Sequence, residues 1–580
     1  MKLSYYCTIF ITLSMSINYA NHPATFAAIE TYLKKPLPHS YVDYQSFESL
    51  VTLANGYFTT EQYEEAIAFY KQALALNPTC AQIFFNLGQA LYYAQKYPEA
   101  LYAFKKTIHY NKNHERAYVQ IAKIMIDVKQ PKDAIEPLKK ALFINANNPD
   151  ARLLLVRLYN DKHLFNQSIN ILLEGLKLEP GHINLRFELG NTYNLINKLE
   201  ESLAIYQELN QELPNNPSIL YNIGFTHKKL GDIEKSLPYY SKTLELNPNH
   251  TEAVFSLGLA YLMIGDFEKG WHGYEWRYNR PSQGSLRSYS QPRWDGSDLQ
   301  GKTILIHAEQ GLGDTFQFIR YTKMIKEEKH ATTIIAAVQK PLVTLIKECK
   351  NIDHVISLED TPPQFDVQIP MLSLPYVLKT RIDTVPCEIP YLYADENLVQ
   401  LWKEKLSTDK NFKIGICWQG NDNYATPLLR TTVAQKSVHP KEFAPISQVP
   451  GVSLYSLQKI TGTDQLKELP ETMNIITFDG DFDQSNGRFM DTAAVIKNLD
   501  LVITVDTSVS HLASALGTPT WIMLPNPSDW RWMINRNDSP WYPQITRLFK
   551  QPTPGDWQSM IKKVAEELQK HITKEQHDKK

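Results

Sequence analysis

Cysteine is scarce: Cys7, Cys80, Cys349, Cys387 and Cys417 stand far apart, with no CxxC pair and no metal-ligand spacing. That argues against a disulfide scaffold or a thiolate zinc site and fits a reducing compartment. Charge bias is lacking too, with 60 Lys and Arg against 62 Asp and Glu. No global field draws the chain to nucleic acid or to an anionic membrane. Beyond the N-terminus, long apolar runs are missing, so no later segment reads as a bilayer span. The first twenty residues, "MKLSYYCTIFITLSMSINYA", have one lysine, an uncharged stretch and Ala20 at a cleavage-like position, the outline of a weak signal peptide. Ser14, Ser16 and Asn18 and the missing A-x-A site balance export against an uncleaved leader with weak membrane association. The expected compartment is cytoplasmic, with export or membrane tethering as the alternative.

What is present is length and periodicity. A chain of 580 residues with 43% hydrophobic content exceeds one core and suggests three or four domains. Small residues recur at multiples of 34: Gly88, Ala122, Gly190, Gly224 and Gly258, with Val156 at the skipped position. Pro78, Pro180, Pro214 and Pro248 keep the same period, as do Tyr70, Phe104, Leu138, Leu172, Tyr206, Tyr240 and Tyr274. A 34-residue period of small, aromatic and proline positions is the tetratricopeptide pattern, a helix pair per repeat. About seven units fit residues 45–284, an α-solenoid whose concave face suits a peptide or partner protein, or which serves only as spacer. Lys112 and Ala146 stand where proline is expected, so two units are degenerate.

"GSDLQGKT", Gly296 to Thr303, matches the letters of a phosphate loop. It precedes a strand, "TILIHA", instead of joining a strand to a helix, so its amides cannot converge on phosphate from a helix start. From Lys302 onward, apolar strands and amphipathic helices alternate, which predicts parallel sheets and two Rossmann-like domains, 285–395 and 396–572, after a leader 1–44 and before a tail 573–580. Ligand sites in such folds lie at the carboxyl ends of strands. The loops there are "HAEQGLGDTFQF", with Glu309, Gln310, Gly311, Gly313 and Asp314; "WQGN", with Gln419, Gly420 and Asn421; "SLQK", with Gln458; and "VDTSVSH". In the last, Thr507 is placed to cap a helix whose first amides, at Ser508 and Val509, favour phosphate, while Asp506 suits sugar hydroxyls and His511 donates to phosphate or packs. Ordinary helix capping accounts for the same letters.

"QPRWDGSDLQGKTILIHAEQGLGDTFQFIRY", "GICWQGN", "DLVITVDTSVSHLASALGTPTWIMLP" and "DWRWMINRNDSPWYPQITRLF" occur in that order. With them, the region from Trp294 to Leu568 resembles the GT-B glycosyltransferases of the heptosyltransferase-like superfamily, glycosyltransferase family 9, in the branch where tetratricopeptide repeats precede that domain. The resemblance implies metal-independent transfer from a nucleotide sugar, a co-substrate and not a bound cofactor. It implies Asp314 as general base, Asp506, Thr507, Ser508, Val509 and His511 at the donor sugar and diphosphate, Gln419, Gly420 and Asn421 by the phosphates, and Gln458 near the nucleoside. The cation opposite the leaving diphosphate is expected from Arg430 or Lys436. Asp479 and Asp481 in "FDGDFD" read as a solvated acidic loop, Trp530, Trp532 and Trp541 as structural more than sugar-stacking, and the last helix as crossing back to the first domain. Three readings follow: a transferase whose repeats recruit a protein or peptide acceptor, one with a glycolipid or lipopolysaccharide acceptor, and a non-catalytic repeat adaptor.

Overall fold

The computed structural model describes residues 46–280, 287–421, 433–478 and 480–578. The leader, Arg430 and Asp479 lie outside the described residues. Two compact units divide at Ile205 and Tyr206, inside the repeat array.

The first unit is a helical solenoid: α1 (Phe47–Thr59), α2 (Tyr63–Leu76), α3 (Ala81–Tyr93), α4 (Tyr97–Tyr110), α5 (Glu115–Asp127), α6 (Ile135–Ile144), α7 (Pro149–Asp161), α8 (Phe165–Leu178), α9 (Ile183–Leu195) and the start of α10 (Leu199–Glu212). The small and aromatic registers are one contact seen from two helices. A Cβ on Gly88 of α3 would lie 2.6 Å from the Phe104 ring of α4, which is fully buried. Only a residue without a side chain lets the hairpin close on the ring. A further register sits at the helix starts: His114 and His182 accept through Nδ1 from the amides of Ala117 and Leu185, and Asn148 accepts from Ala151.

The second unit takes the rest of α10 from Tyr206 and then the last two helical hairpins, α11 (Pro217–Leu230), α12 (Ile233–Leu246), α13 (Thr251–Ile264) and α14 (Phe267–Glu275). Gly224 and Tyr240 repeat the glycine–ring contact, and Gly258 meets the Gly273 backbone, an ideal Cβ there falling 2.6 Å from Gly273 Cα. A four-stranded parallel sheet follows, in the order β3-β2-β1-β4: β1 (Thr303–His307), β2 (Thr333–Val338), β3 (His354–Ser357) and β4 (Val367–Pro370). Its helices include α15 (Leu312–Phe318) and α16 (Tyr321–Glu327). After α17 (Glu396–Leu406) comes a six-stranded parallel sheet, β10-β9-β8-β5-β6-β7: β5 (Phe412–Cys417), β6 (Val452–Ser456), β7 (Ile475–Ile476), β8 (Leu501–Val505), β9 (Thr520–Leu524) and β10 (Thr546–Lys550). Helices α18 (Met490–Ile496), α19 (Ser508–Ala515) and α20 (Trp557–Asp578) complete it.

Both sheets reverse strand order at their first strand, between β1 and β4 and between β5 and β8. These are the switch points where a crevice opens. One apolar core joins the last hairpins, both helix layers and the aromatic segment after β9, with Tyr240, Trp271, Trp294, Phe316, Trp530 and Trp541 in a single cluster. Helix α20 does not carry its core contacts back to the first sheet: Met560, Ile561, Val564, Leu568 and Ile572 pack with Ile414, Trp521 and Phe549 on the second. It also runs to Asp578, through most of the tail expected from 573 onward. Gly296 and Gly301 precede β1 in left-handed turns, φ 93° and 77°, and no helix follows them, so the phosphate-loop letters form a domain entry. Among the described residues no helix is long and apolar enough to cross a membrane.

Candidate functional site

Segments from four strand ends, after β1, β5, β8 and β9, meet at the crevice. The loop after β1 enters α15 at Gly311, whose amide donates to Asp314 Oδ2 at 2.8 Å, so Asp314 caps its own helix. Its other oxygen, Oδ1, accepts from Arg531 Nη2 at 2.5 Å. Arg531 comes from the turn after β9 and also donates to Asp529 Oδ1 at 2.9 Å and to Gln317 Oε1 at 2.9 Å, while its guanidinium stacks 4.4 Å above the Trp530 ring. Burial raises the Asp314 carboxyl above the usual carboxylate range, and the Arg531 charge opposes that shift. Asp529 is held below its usual range because Arg531 and Lys436 outweigh its burial.

Lys436 and Asp506 pair at 2.6 Å, Asp506 Oδ2 accepting from the ammonium, with the carboxylate 7% exposed. Thr507 occupies the N-cap position of α19 with extended backbone, as expected, yet its hydroxyl makes no cap. It donates instead to Cys417 Sγ at 3.7 Å across the β5/β8 switch point. The side chain thus leaves the first amides of α19 uncapped, at the positive end of the helix. Val509 points into the core. His511 is buried, stacked on Trp532 at 5.1 Å, with Nδ1 2.8 Å from the Tyr542 hydroxyl. Desolvation pushes it down to about 3, so it is a neutral packed ring and not a cation for phosphate.

Other expected residues are occupied differently. A Cβ on Gly313 would fall 2.9 Å from His511 Cδ2 and 3.4 Å from Ser508 Cα, so this glycine lets α15 and α19 touch. Glu309 faces away from the pair: it accepts from Arg277 Nε at 3.0 Å and from the Tyr278 hydroxyl at 2.7 Å, anchoring the chain that leaves the last hairpin. Gln310 gives its carbonyl to Gln339 at 2.8 Å. Gln458 spends its whole amide on the β5 loop and its own, accepting from Trp418 and Gln419 amides at 3.1 and 3.0 Å and donating to the Gln419 and Thr461 carbonyls at 3.0 and 2.8 Å. It shapes the loop and has no amide hydrogen left for a base. Beside Gln419, a cavity of about 240 Å³ is lined by Val433, Ala434, Ser437, Val438, His439 and Gln465. Gly420 faces Val433 at its rim, an ideal Cβ meeting Val433 Cγ1 at 3.4 Å, and Asn421 is exposed. The three tryptophans are buried, as their structural reading required. Asp481 is taken by the Ser485 hydroxyl at 2.9 Å.

Sequence reasoning missed Arg531 and Asp529. Both stand in "DWRW"; the signal was an aspartate and an arginine flanking one indole and bounded by another. The segment is held from below by the repeats. Ile534 N donates to Met263 O at 3.0 Å, Met533 takes φ 50° with its sulfur near Gly265, and Trp530 meets Trp271 edge-on at 5.3 Å.

Comparison with known proteins locates the same two modules. The TPR repeat family matches residues 54–95, Tetratricopeptide repeat matches 217–250, and Glycosyltransferase family 9 (heptosyltransferase) matches 487–529, which contains Asp506, His511 and Asp529. A curated relative, Protein FlbA of Caulobacter vibrioides (strain ATCC 19089 / CIP 103742 / CB 15), is 25% identical over 318 residues, 52% of each chain. The chain thus spans about half the length of that relative. Among solved structures, MamA protein is 20% identical over 30% of this chain and 94% of its own, with a TM-score of 0.27. The C-terminal part of a TPR repeat-containing protein from Cytophaga hutchinsonii is 16% identical, covering 41% and 96%, with a TM-score of 0.34. Residues 54–95 and 217–250 are thus similar to tetratricopeptide repeats, and residues 487–529, within the parallel-sheet α/β region, are similar to glycosyltransferase family 9.

Proposed function

We propose that the protein moves a sugar from a nucleotide-sugar donor to an acceptor hydroxyl, with a protein or peptide acceptor recruited by the repeats and no metal in the transfer step. The observation that carries this reading is the facing pair of loops: Asp314 beside the first sheet, paired with Arg531 and through it with Asp529, and the Lys436–Asp506 pair beside the second, with Lys436 within electrostatic reach of Asp529. A carboxylate opposite a hydroxyl-binding carboxylate and two cations is the charge pattern that general-base attack and diphosphate departure require. In this reading Asp314 takes the acceptor proton as the oxygen attacks the anomeric carbon. The glycosidic bond forms as the bond to the diphosphate breaks. Lys436 shifts from Asp506 toward the departing phosphate, and Asp506 then takes sugar hydroxyls. The amides of Ser508 and Val509 add the positive end of α19.

The test is incubation of the full chain with a panel of nucleotide sugars, measuring binding and release of nucleotide, then repetition with Asp506→Ala and Asp314→Ala. Binding lost in the first, and binding kept without turnover in the second, is the expected result; no binding to any donor would sink the reading. One observation favours a second reading, a repeat adaptor that binds a nucleotide sugar without transferring it: Asp314 is held from both sides, by Arg531 and by the Gly311 amide. Wild-type binding without nucleotide release or transfer would select it.

A further inference from the structure

The cations of the crevice are spent on carboxylates, Lys436 on Asp506 and Arg531 on Asp314 and Asp529. A third lies on the repeat side. Lys228, in the last turn of α11, forms no ion pair among the described residues, and its ammonium lies 5.6 Å from the centre of the Phe225 ring. The end of its helix abuts the segment after β9: an ideal Cβ on Gly231 would fall 3.0 Å from Asn526 Oδ1, and Lys228 lies within electrostatic reach of Asp529. A lysine at a helix C-terminus ordinarily complements the helix dipole in water. That does not account for one half-buried at the edge of a charged cluster.

We propose that Lys228, contributed by the repeat array, binds the phosphate groups of the nucleotide donor and so completes the transferase site. The inference rests on the nucleotide-sugar reading above. It gives the repeats a direct part in donor binding beyond recruitment of an acceptor. The groups facing Lys228 are Arg280 and Glu252, which pair with each other at 3.0 Å, together with Asp529 and the neighbouring Lys229. Burial, with Arg280 adding to it, pushes the ammonium down to about 8. In the free protein its charge is therefore lost just above neutral pH, which gives a readout that a packing role would not move.

The experiment is calorimetric titration of the full-length protein with UDP, GDP, ADP, TDP and CMP, and with the matching free nucleosides, from pH 6.5 to 9. The expected result is a nucleotide whose affinity falls as pH passes 8 in the wild type. Lys228→Gln should weaken it by about tenfold to a hundredfold at pH 7, with nucleoside affinity unchanged. Lys228→Arg should keep the affinity and abolish its fall with pH. Nucleotide binding that is equal in wild type and Lys228→Gln overturns this proposal and leaves the donor reading standing. Failure of the wild type to bind any nucleotide overturns both. Equal loss of nucleoside and nucleotide affinity in Lys228→Gln assigns the lysine to packing and also overturns it.

Discussion

Arg531 Nη2 and Asp314 Oδ1 lie 2.5 Å apart although one follows β9 of the second sheet and the other follows β1 of the first. The pair is largely buried, at 10% and 16% exposure, so neither charge is satisfied by water if the other is removed. Arg531→Ala should cost ~3 kcal/mol in urea unfolding, because Asp314, Asp529 and Gln317 all lose a donor. In any transfer assay the same change should move the acid limb of the rate profile to higher pH, since a buried Asp314 without its cation ionises later.

Lys436 and Asp506 should behave as one unit in donor binding. Single changes, Lys436→Met and Asp506→Asn, each strand one partner; the double change removes both. A double-mutant cycle on nucleotide-sugar affinity should give a coupling of about 1 kcal/mol or more. Additive effects would place the two residues in separate roles.

Gly313→Ala should separate α15 from α19, since the new methyl meets His511 at 2.9 Å. The expected loss is ~1–3 kcal/mol of stability with weaker donor binding. Gly56, mid-helix in α1 with open space around it, is the control: Gly56→Ala should gain ~0.5–1 kcal/mol.

His511 has a folded-state pKa near 3, below its value of 6.5 in an unfolded chain. The unfolded state therefore binds the extra proton first, so this residue makes stability fall as pH drops from about 6.5 toward 3. His511→Asn keeps a polar partner for Tyr542 and removes the titration. Over that range the variant's melting temperature should decline less steeply than the wild type's; parallel curves would show that His511 already protonates in the folded protein.

The compact division at Ile205 predicts where the chain can be cut. A fragment starting at residue 197, just before α10, should unfold cooperatively and bind the same nucleotide as the full chain. One starting at residue 250 lacks α11 and α12, with the buried Tyr240 and Ile233, and should lose the α/β core as well.

The repeat period was legible because its cause is local: a small residue on one helix meets a large one on the next, as Gly88 with Phe104 and Gly224 with Tyr240 do. The sheets were legible from apolar runs, and the switch-point loops from their small residues. What could not be read was pairing across the crevice. Asp314 and Arg531 are separated by two domains of sequence, and no spacing rule links them. Gln458 and Glu309 show the complementary limit: their positions at strand ends were right, but the sequence carries no mark of which way a polar side chain turns.

Helix α14 buries Phe267 and Trp271 against the segment after β9, where a free solenoid end would need a polar face, and Tyr274 packs both there and on Phe255 of α13. Trp530 and Trp541 cover them, with Phe267 and Trp541 stacked at 5.9 Å and Tyr274 and Trp530 at 5.4 Å. The α/β unit is thus the solenoid's C-terminal stopper. Repeats can be gained or lost only toward the N-terminal side without unsealing that end, so the reach of the array is free to vary while the distance from its last hairpin to the crevice stays fixed.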